Sequence, residues 1–168
     1  MTLLKTAAAA FPGELSGLGL SWANAGLCLA PILAWNLALG SKLRMERFNK
    51  SIPGWYDAGE NVLRGAAMIY PCFRPLDPHA SLFEPGIWTY ASGTLVYFAS
   101  WLPLMAEYPA DWMKSLPVQL APAYTPMLWF AGVALMAGSP LEILLAGLFV
   151  GAHVGEYLLR WEPRTKGD

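Results

Sequence analysis

The sequence predicts an all-α integral membrane protein, a single domain over residues 1–168 built as a bundle of about five transmembrane helices. Three observations predict it. Of the 168 residues, 55% are apolar and only 14% charged, with a net charge of −1 and a mean hydropathy of +0.37; an ordinary soluble domain carries about 25% charged residues. Second, Leu15–Ser41, Pro85–Ala106 and Ser115–Leu141 are runs of 27, 22 and 27 residues with no charge at all. Each exceeds the roughly 20 residues that a helix needs to cross a ~30 Å hydrocarbon layer. Third, the lysines and arginines fall mainly between these runs rather than within them.

The same composition excludes other classes. A net charge near zero with no basic face argues against a nucleic-acid partner. Cys28 and Cys72 are the only cysteines and both sit in apolar stretches, so neither a disulfide framework nor a thiolate metal site is expected.

The first helix is expected over 15–40, ended by Gly40-Ser41 and kinked at Pro31, which removes a backbone donor and crowds the preceding turn. Ala23-Asn24-Ala25 has the small-x-small form of a signal-peptide cleavage site. Cutting there would leave too little of the segment to span, so an uncleaved helix is expected. The second helix is expected over 57–73. Asp57-Ala58-Gly59-Glu60 has the acceptor-x-x-Glu form of a capping box. Only nine uncharged residues separate Arg64 from Arg74, and Pro71 interrupts the end, so hydropathy alone allows a short or re-entrant helix and four spans instead.

The placement of basic residues decides between the two, because cytoplasmic loops carry the Lys and Arg excess. If 57–73 crosses, Lys42, Arg44, Arg47, Lys50, Lys114, Arg160, Arg164 and Lys166 share one side, against Lys5 and Arg74 opposite. If it does not cross, the division is six against five. Eight against two is the better separation. It puts the N-terminus outside and the C-terminus in the cytoplasm, as expected for a bacterial inner (plasma) membrane. The third helix is expected over 86–106 and the fourth over 118–137, with Pro122 and Pro126 in its first turns. The fifth, over 140–161, starts with Ser139 as cap, Pro140 in the first turn and Glu142 completing a capping box. Trp55, Tyr56, Tyr108, Trp112 and Trp161 fall at expected helix ends, where amphipathic rings anchor at the headgroup layer.

Ionisable groups inside a bilayer are costly and invite a functional reading. Asp57, Glu60, Asn61 and Arg64 follow an i, i+3, i+4, i+7 spacing that puts them on one helical face. Capping accounts for Asp57 and Glu60, whereas Arg64 lies deeper and needs Glu60, another helix or a phosphate. On the fifth helix, His153, Glu156 and Arg160 also share a face. His153-x-x-Glu156 suits a proton relay or a hydrogen-bonded packing contact. It supplies only two metal ligands, and the one other histidine, His79, falls on the opposite side, so no metal is expected within one chain. In the five-span arrangement Glu60, Asn61 and Arg64 would share one depth with His153, Glu156 and Arg160. Gly147, Gly151 and Gly155 repeat at four-residue spacing, the pattern of a close helix-packing face in lipid.

No nucleophile elbow, phosphate loop, Cys-x-x-Cys or histidine box is present, and no cofactor is expected. Three readings follow. The leading one is a small multi-pass structural or accessory subunit of a membrane assembly, contacting a protein partner or a second copy through Gly147, Gly151 and Gly155. The second is a transporter or a proton- or anion-conducting component using Glu60, Arg64, His153 and Glu156. The third is a lipid-acting membrane enzyme with His153 and Glu156 as acid and base.

Overall fold

The structure, a computed structural model, describes residues 18–43, 48–108 and 110–161. Among these residues there are helices and connections but no strand. The helices are α1 (Asn24–Lys42), α2 (Gly54–Phe73), α3 (Phe83–Met105), α4 (Leu116–Gln119), α5 (Ala121–Tyr124), α6 (Pro126–Ala137) and α7 (Pro140–Arg160).

In α1 the expected kink at Pro31 takes a specific form. Residues Asn24–Leu29 are π-helical, with the Ala30 N–H reaching back to the Ala25 carbonyl, and regular α-helix follows through Leu39. Pro31 has no N–H to return to the preceding turn and its ring crowds that turn. Inserting one residue into the turn relieves the crowding. The expected start at residues 15–17 lies outside the described residues, and residues 18–21, expected to be helical, are not: their backbone N–H groups at Gly19 and Ser21 are taken by the end of α2.

Helix α2 begins at Gly54, three residues earlier than expected, with Pro53 at its N-cap and no side-chain cap. Asp57 and Glu60 therefore stand inside the helix and do not form the expected capping box: proline had already set the entry, and no side chain was needed. The far end of α2 is closed by the chain before α1. Gly19 N and Ser21 N donate to the carbonyls of Phe73 and Cys72 at 2.9 and 2.7 Å. The Asn24 amide donates to Pro71 O at 2.8 Å and Arg74 O at 2.7 Å. The carbonyls of Phe73 and Cys72, at the open end of the helix, thus find donors outside it, and the buried Asn24 adds a donor to Pro71 O, which also accepts from Arg74 N at 3.2 Å.

Helices α3 and α6 form the tightest pair, made possible by three glycines. A methyl at Gly93 would stand 2.6 Å from Trp129 N, and one at Gly86 2.8 Å from Met136 N. At Gly132 it would collide with the backbone of Tyr90. Around this contact Trp129, Phe130, Val133 and Ala134 are almost wholly enclosed. The expected single helix 118–137 is instead three segments, α4, α5 and α6, each with a proline (Pro117, Pro122, Pro126) in its first turn. Each ring cancels one hydrogen bond to the preceding turn, and the helix restarts. Gly138, at φ +60°, ends α6 in the left-handed conformation, and Ser139 Oγ accepts from Glu142 N at 3.3 Å to start α7, as expected.

Side-chain contacts fix the direction of each column. Gly19 and Ser21 pair with the end of α2, so α1 and α2 are antiparallel. Tyr90 OH donates to Cys28 O and Tyr97 OH to Asn36 Oδ1, so α3 runs parallel to α1. Gly86 meets Met136 and Gly93 meets Trp129, so α6 is antiparallel to α3. Tyr56 bonds Ala152 while Arg64 lies over Phe149, so α7 is antiparallel to α2. The five columns α1, α2, α3, α4–α6 and α7 thus alternate in direction. Of the basic residues in the expected charge tally, Lys5, Arg44, Arg47, Arg164 and Lys166 lie outside the described residues.

The core is apolar, and large apolar side chains also stand on the surface. Leu37, Val62, Leu95 and Leu148 stand on the surface, while Asn24, Glu60, Ser139 and Glu142 are buried. Two helices, Asn24–Lys42 and Pro140–Arg160, are long and apolar enough to cross a membrane by length and composition.

Gly132→Ala is expected to destabilise the folded chain in detergent by about 1–3 kcal/mol, since backbone rather than a side-chain tip would have to yield. Gly151→Ala, where a methyl meets nothing within 4 Å, is expected to be neutral or slightly stabilising. Thermal unfolding monitored by circular dichroism separates the two. In the same measurement Asn24→Ala should cost about 0.5–1.5 kcal/mol through loss of its hydrogen bonds to Pro71 O and Arg74 O; an unchanged midpoint would refute that role.

Candidate functional site

The polar residues of α2 and α7 meet because the two helices are antiparallel and carry matching spacings. Asp57, Glu60 and Arg64 stand at i, i+3 and i+7, and so do His153, Glu156 and Arg160. Reversing one helix against the other sets Asp57 opposite Arg160 and Arg64 opposite His153, and Glu60, one turn before Arg64 on the same face, reaches the same imidazole.

The contacts form one network. Glu60 Oε1 accepts from Arg64 Nη2 at 2.7 Å and Nε at 3.2 Å, and lies 2.8 Å from His153 Nδ1. His153 Nδ1 is 3.6 Å from Glu156 Oε2. Arg160 Nε donates to Glu156 Oε1 at 2.9 Å, and its Nη2 crosses to Asp57 Oδ1 at 3.1 Å. A carboxylate can only accept, so the 2.8 Å contact makes Nδ1 the protonated ring nitrogen of His153. Phe149 stacks on the imidazole at 5.3 Å and Tyr157 meets it edge-on at 4.9 Å, which fixes the ring plane.

The structure brings five of the six expected residues, Glu60, Arg64, His153, Glu156 and Arg160, into one network. Asn61 is the exception: it is exposed and donates to Asp57 O at 2.8 Å within its own helix. Asp57, read from sequence as a cap, instead ties the two helices together. Tyr157 and Phe149 escaped the sequence reading because an aromatic residue on an apolar helix looks like any core position.

The expected glycine face divides. Gly155 is covered by the Tyr56 ring, whose hydroxyl donates to Ala152 O at 3.0 Å. Gly147 and Gly151 have open space where a Cβ would be. No other part of the described chain packs on them.

The expectation of no metal needs correction on its ligand count. It rested on the lack of a second histidine nearby, whereas the third donor comes from α2: Glu60, His153 and Glu156 each offer one ligand atom, all within 4.8 Å of one another. No spacing along one helix could reveal a donor contributed by another.

Two cavities border the network. One of about 200 Å³ is lined by Phe48, Arg64, His153, Glu156, Tyr157 and Arg160. The other, about 330 Å³, runs from Arg64, His153 and Tyr157 inward to Met68, Tyr97 and Trp129. Its far wall carries the Tyr97 hydroxyl, bonded to Asn36 Oδ1 at 2.5 Å. Arg64, His153 and Tyr157 border both spaces and stand between them. The arrangement brings opposed charges, an imidazole and open volume together in an otherwise apolar bundle.

Glu60→Gln is expected to cost about 1.5–3 kcal/mol, the worth of hydrogen bonds to a charged group, because Arg64 loses its carboxylate. Asp57→Asn is expected to cost about 0.2–1 kcal/mol, since the Asp57 carboxylate is half-exposed. Equal costs in thermal unfolding would refute this ranking. Comparison of the chain with protein-family models, with curated proteins and with solved structures finds no match in any of the three.

Proposed function

We propose that the chain is a five-span integral membrane protein that takes up and passes a small cation at the Glu60–His153–Glu156 network. The membrane reading is supported by large apolar side chains exposed on the columns, among them Leu37, Val62, Leu95, Leu128 and Leu148, while Glu60, Glu142 and Glu156 are buried. In water that surface would drive association; in hydrocarbon it is the favourable one. Alternation of the five columns, with Lys42, Lys50, Lys114 and Arg160 at one end and Arg74 at the other, supports an outside N-terminus and a cytoplasmic C-terminus. Trp22 and Trp88 lie exposed toward one end and Trp55, Tyr108 and Trp112 toward the other, as interfacial anchors do.

The single observation that carries the cation reading is the charge balance of the network. Asp57, Glu60 and Glu156 contribute three negative charges, and Arg64 and Arg160 two positive ones. With a neutral imidazole the cluster is short of one positive charge. An anion would enter a site already net negative, with both guanidiniums engaged by carboxylates. A cation completes the balance, which matters most where the surroundings screen poorly. The two cavities that share Arg64, His153 and Tyr157 give it room beside the network.

A structural or accessory role in a larger assembly has its own observation. Gly147 and Gly151 lie open beside exposed Leu144 and Leu148, a surface suited to close contact with another helix. The two readings separate in one experiment. The full chain is reconstituted into liposomes loaded with a pH dye and a divalent-metal dye, and a cation gradient is imposed. Cation flux is expected in the native protein. It should fall at least about tenfold in Glu60→Gln and His153→Ala, the rate equivalent of a lost hydrogen bond to a charged group. Gly151→Leu should retain it. Flux equal in all four proteins, with self- or partner association lost only in Gly151→Leu, would sink the transport reading in favour of the accessory one.

A further inference from the structure

We infer that Glu60, His153 and Glu156 form a binding site for a divalent transition-metal ion of the zinc and manganese class. The site stands on its own geometry; only the statement that this metal is the cation passed rests on the transport reading above.

Donor chemistry and spacing come first. One imidazole nitrogen with two carboxylate oxygens is a donor set suited to Zn²⁺, Mn²⁺ or Fe²⁺ rather than to soft ions or to calcium. Bonds of about 2.0–2.2 Å in tetrahedral geometry hold neighbouring donors roughly 3.2–3.6 Å apart. Glu60 Oε1 and Glu156 Oε2 stand 2.8 and 3.6 Å from His153 Nδ1, and the three donor atoms lie within 4.8 Å of one another. Carboxylate rotation closes the remaining gap without moving a helix. The donors come from two helices whose register is held on either side by Tyr56 on Ala152 and Asp57 on Arg160.

The surroundings provide what a metal site needs beyond its ligands. Arg160 Nε holds Glu156 Oε1 and leaves Oε2 facing His153. Both Arg64 hydrogen bonds fall on Glu60 Oε1, the oxygen nearest His153 Nδ1, so a metal takes this carboxylate either by displacing Arg64 or by rotation that turns Oε2 inward. Such outer partners orient the first ligands and tune their basicity. Phe149 and Tyr157 fix the imidazole plane. The obstacle is Arg64 Nη2, 3.5 Å from Nδ1. The Arg64 side chain is 43% exposed and borders both cavities, so it has room to withdraw, and the same cavities supply water for the open coordination positions. Binding at Nδ1 replaces the hydrogen bond that now joins His153 to Glu60: the Nδ1 proton passes to cavity water while Nε2 takes one up, so the imidazole stays neutral.

The test is titration of chelator-stripped, detergent-solubilised full chain with Zn²⁺ by calorimetry, and with Co²⁺ by visible absorption. One ion per chain is expected. His153→Ala and Glu156→Gln should each weaken binding by more than the roughly 10–100-fold that loss of an outer partner costs, and Glu156→Asp should restore part of it. His79→Ala, in an exposed loop, should bind as the native chain does. Size-exclusion and circular-dichroism profiles identify any variant that has lost its fold, and Glu156→Asp then carries the test. No saturable binding by the native chain, binding unchanged in His153→Ala and Glu156→Gln, or binding lost only in His79→Ala would each overturn the site and leave an ion-pair network. Proton flux without Zn²⁺ binding removes the metal site alone, whereas Zn²⁺ binding without any cation flux removes the transport reading alone.

Discussion

A carboxylate enclosed among apolar helices sets the terms for the rest of this structure. Glu60 is 2% exposed, and an ionised group so placed is tolerated only with partners of opposite charge and full hydrogen bonding. Arg64 supplies the charge from one turn along the same helix, but His153 must come from another. That requirement aligns α2 against α7 in one register and one direction. Tyr56 on Ala152, Asp57 on Arg160 and Arg64 over Phe149 are what the same register permits on either side. A one-turn slip would leave Glu60 facing Phe149 or Tyr157, with only Arg64 of its own helix to bond it.

The rest of the bundle holds by shape rather than charge. Gly86, Gly93 and Gly132 let α3 and α6 approach until their backbones touch, and Trp129 and Phe130 fill the space beside that contact. The proline breaks at Pro117, Pro122 and Pro126 shorten the fourth column into segments. Pro122 and Pro126 line the larger cavity together with Tyr97 and Trp101. Polar groups released along the way find local partners: Thr125 Oγ1 donates to Ala121 O at 2.7 Å and sits 3.3 Å from Ser100 Oγ. A close-packed apolar pair on one side and an ionic seam on the other leave the volume between them open.

On the proposed cation reading, a rigid pair and a charged seam joined by a cavity let the seam respond to an ion without disturbing the core. Arg64 is the residue placed to do so, since it touches Glu60, His153 and both cavities while remaining partly exposed. Gly147 and Gly151 open outward on the opposite side of α7, so a lateral contact and the polar seam can coexist on one helix.

Composition and periodicity by themselves determined that the chain is helical and where most helices lie, because uncharged runs, Ser139-Pro140 and Gly138 act through the backbone within a few residues. They also put Glu60 with Arg64, and His153 with Glu156 and Arg160, each on one face, since a helical face is a property of spacing alone. They misassigned Asp57 and Glu60 as caps because Pro53 ends the need for one, and they counted two metal donors because the third belongs to a different helix. They pointed to Gly147, Gly151 and Gly155 for close packing, whereas the tight contact within the chain is made by Gly86, Gly93 and Gly132. A glycine spacing states that approach is possible but not which helix approaches. Only the tertiary structure could decide these points: the direction and register of α2 against α7, and the glycine contact of α3 with α6, join residues far apart in sequence through forces that act across space.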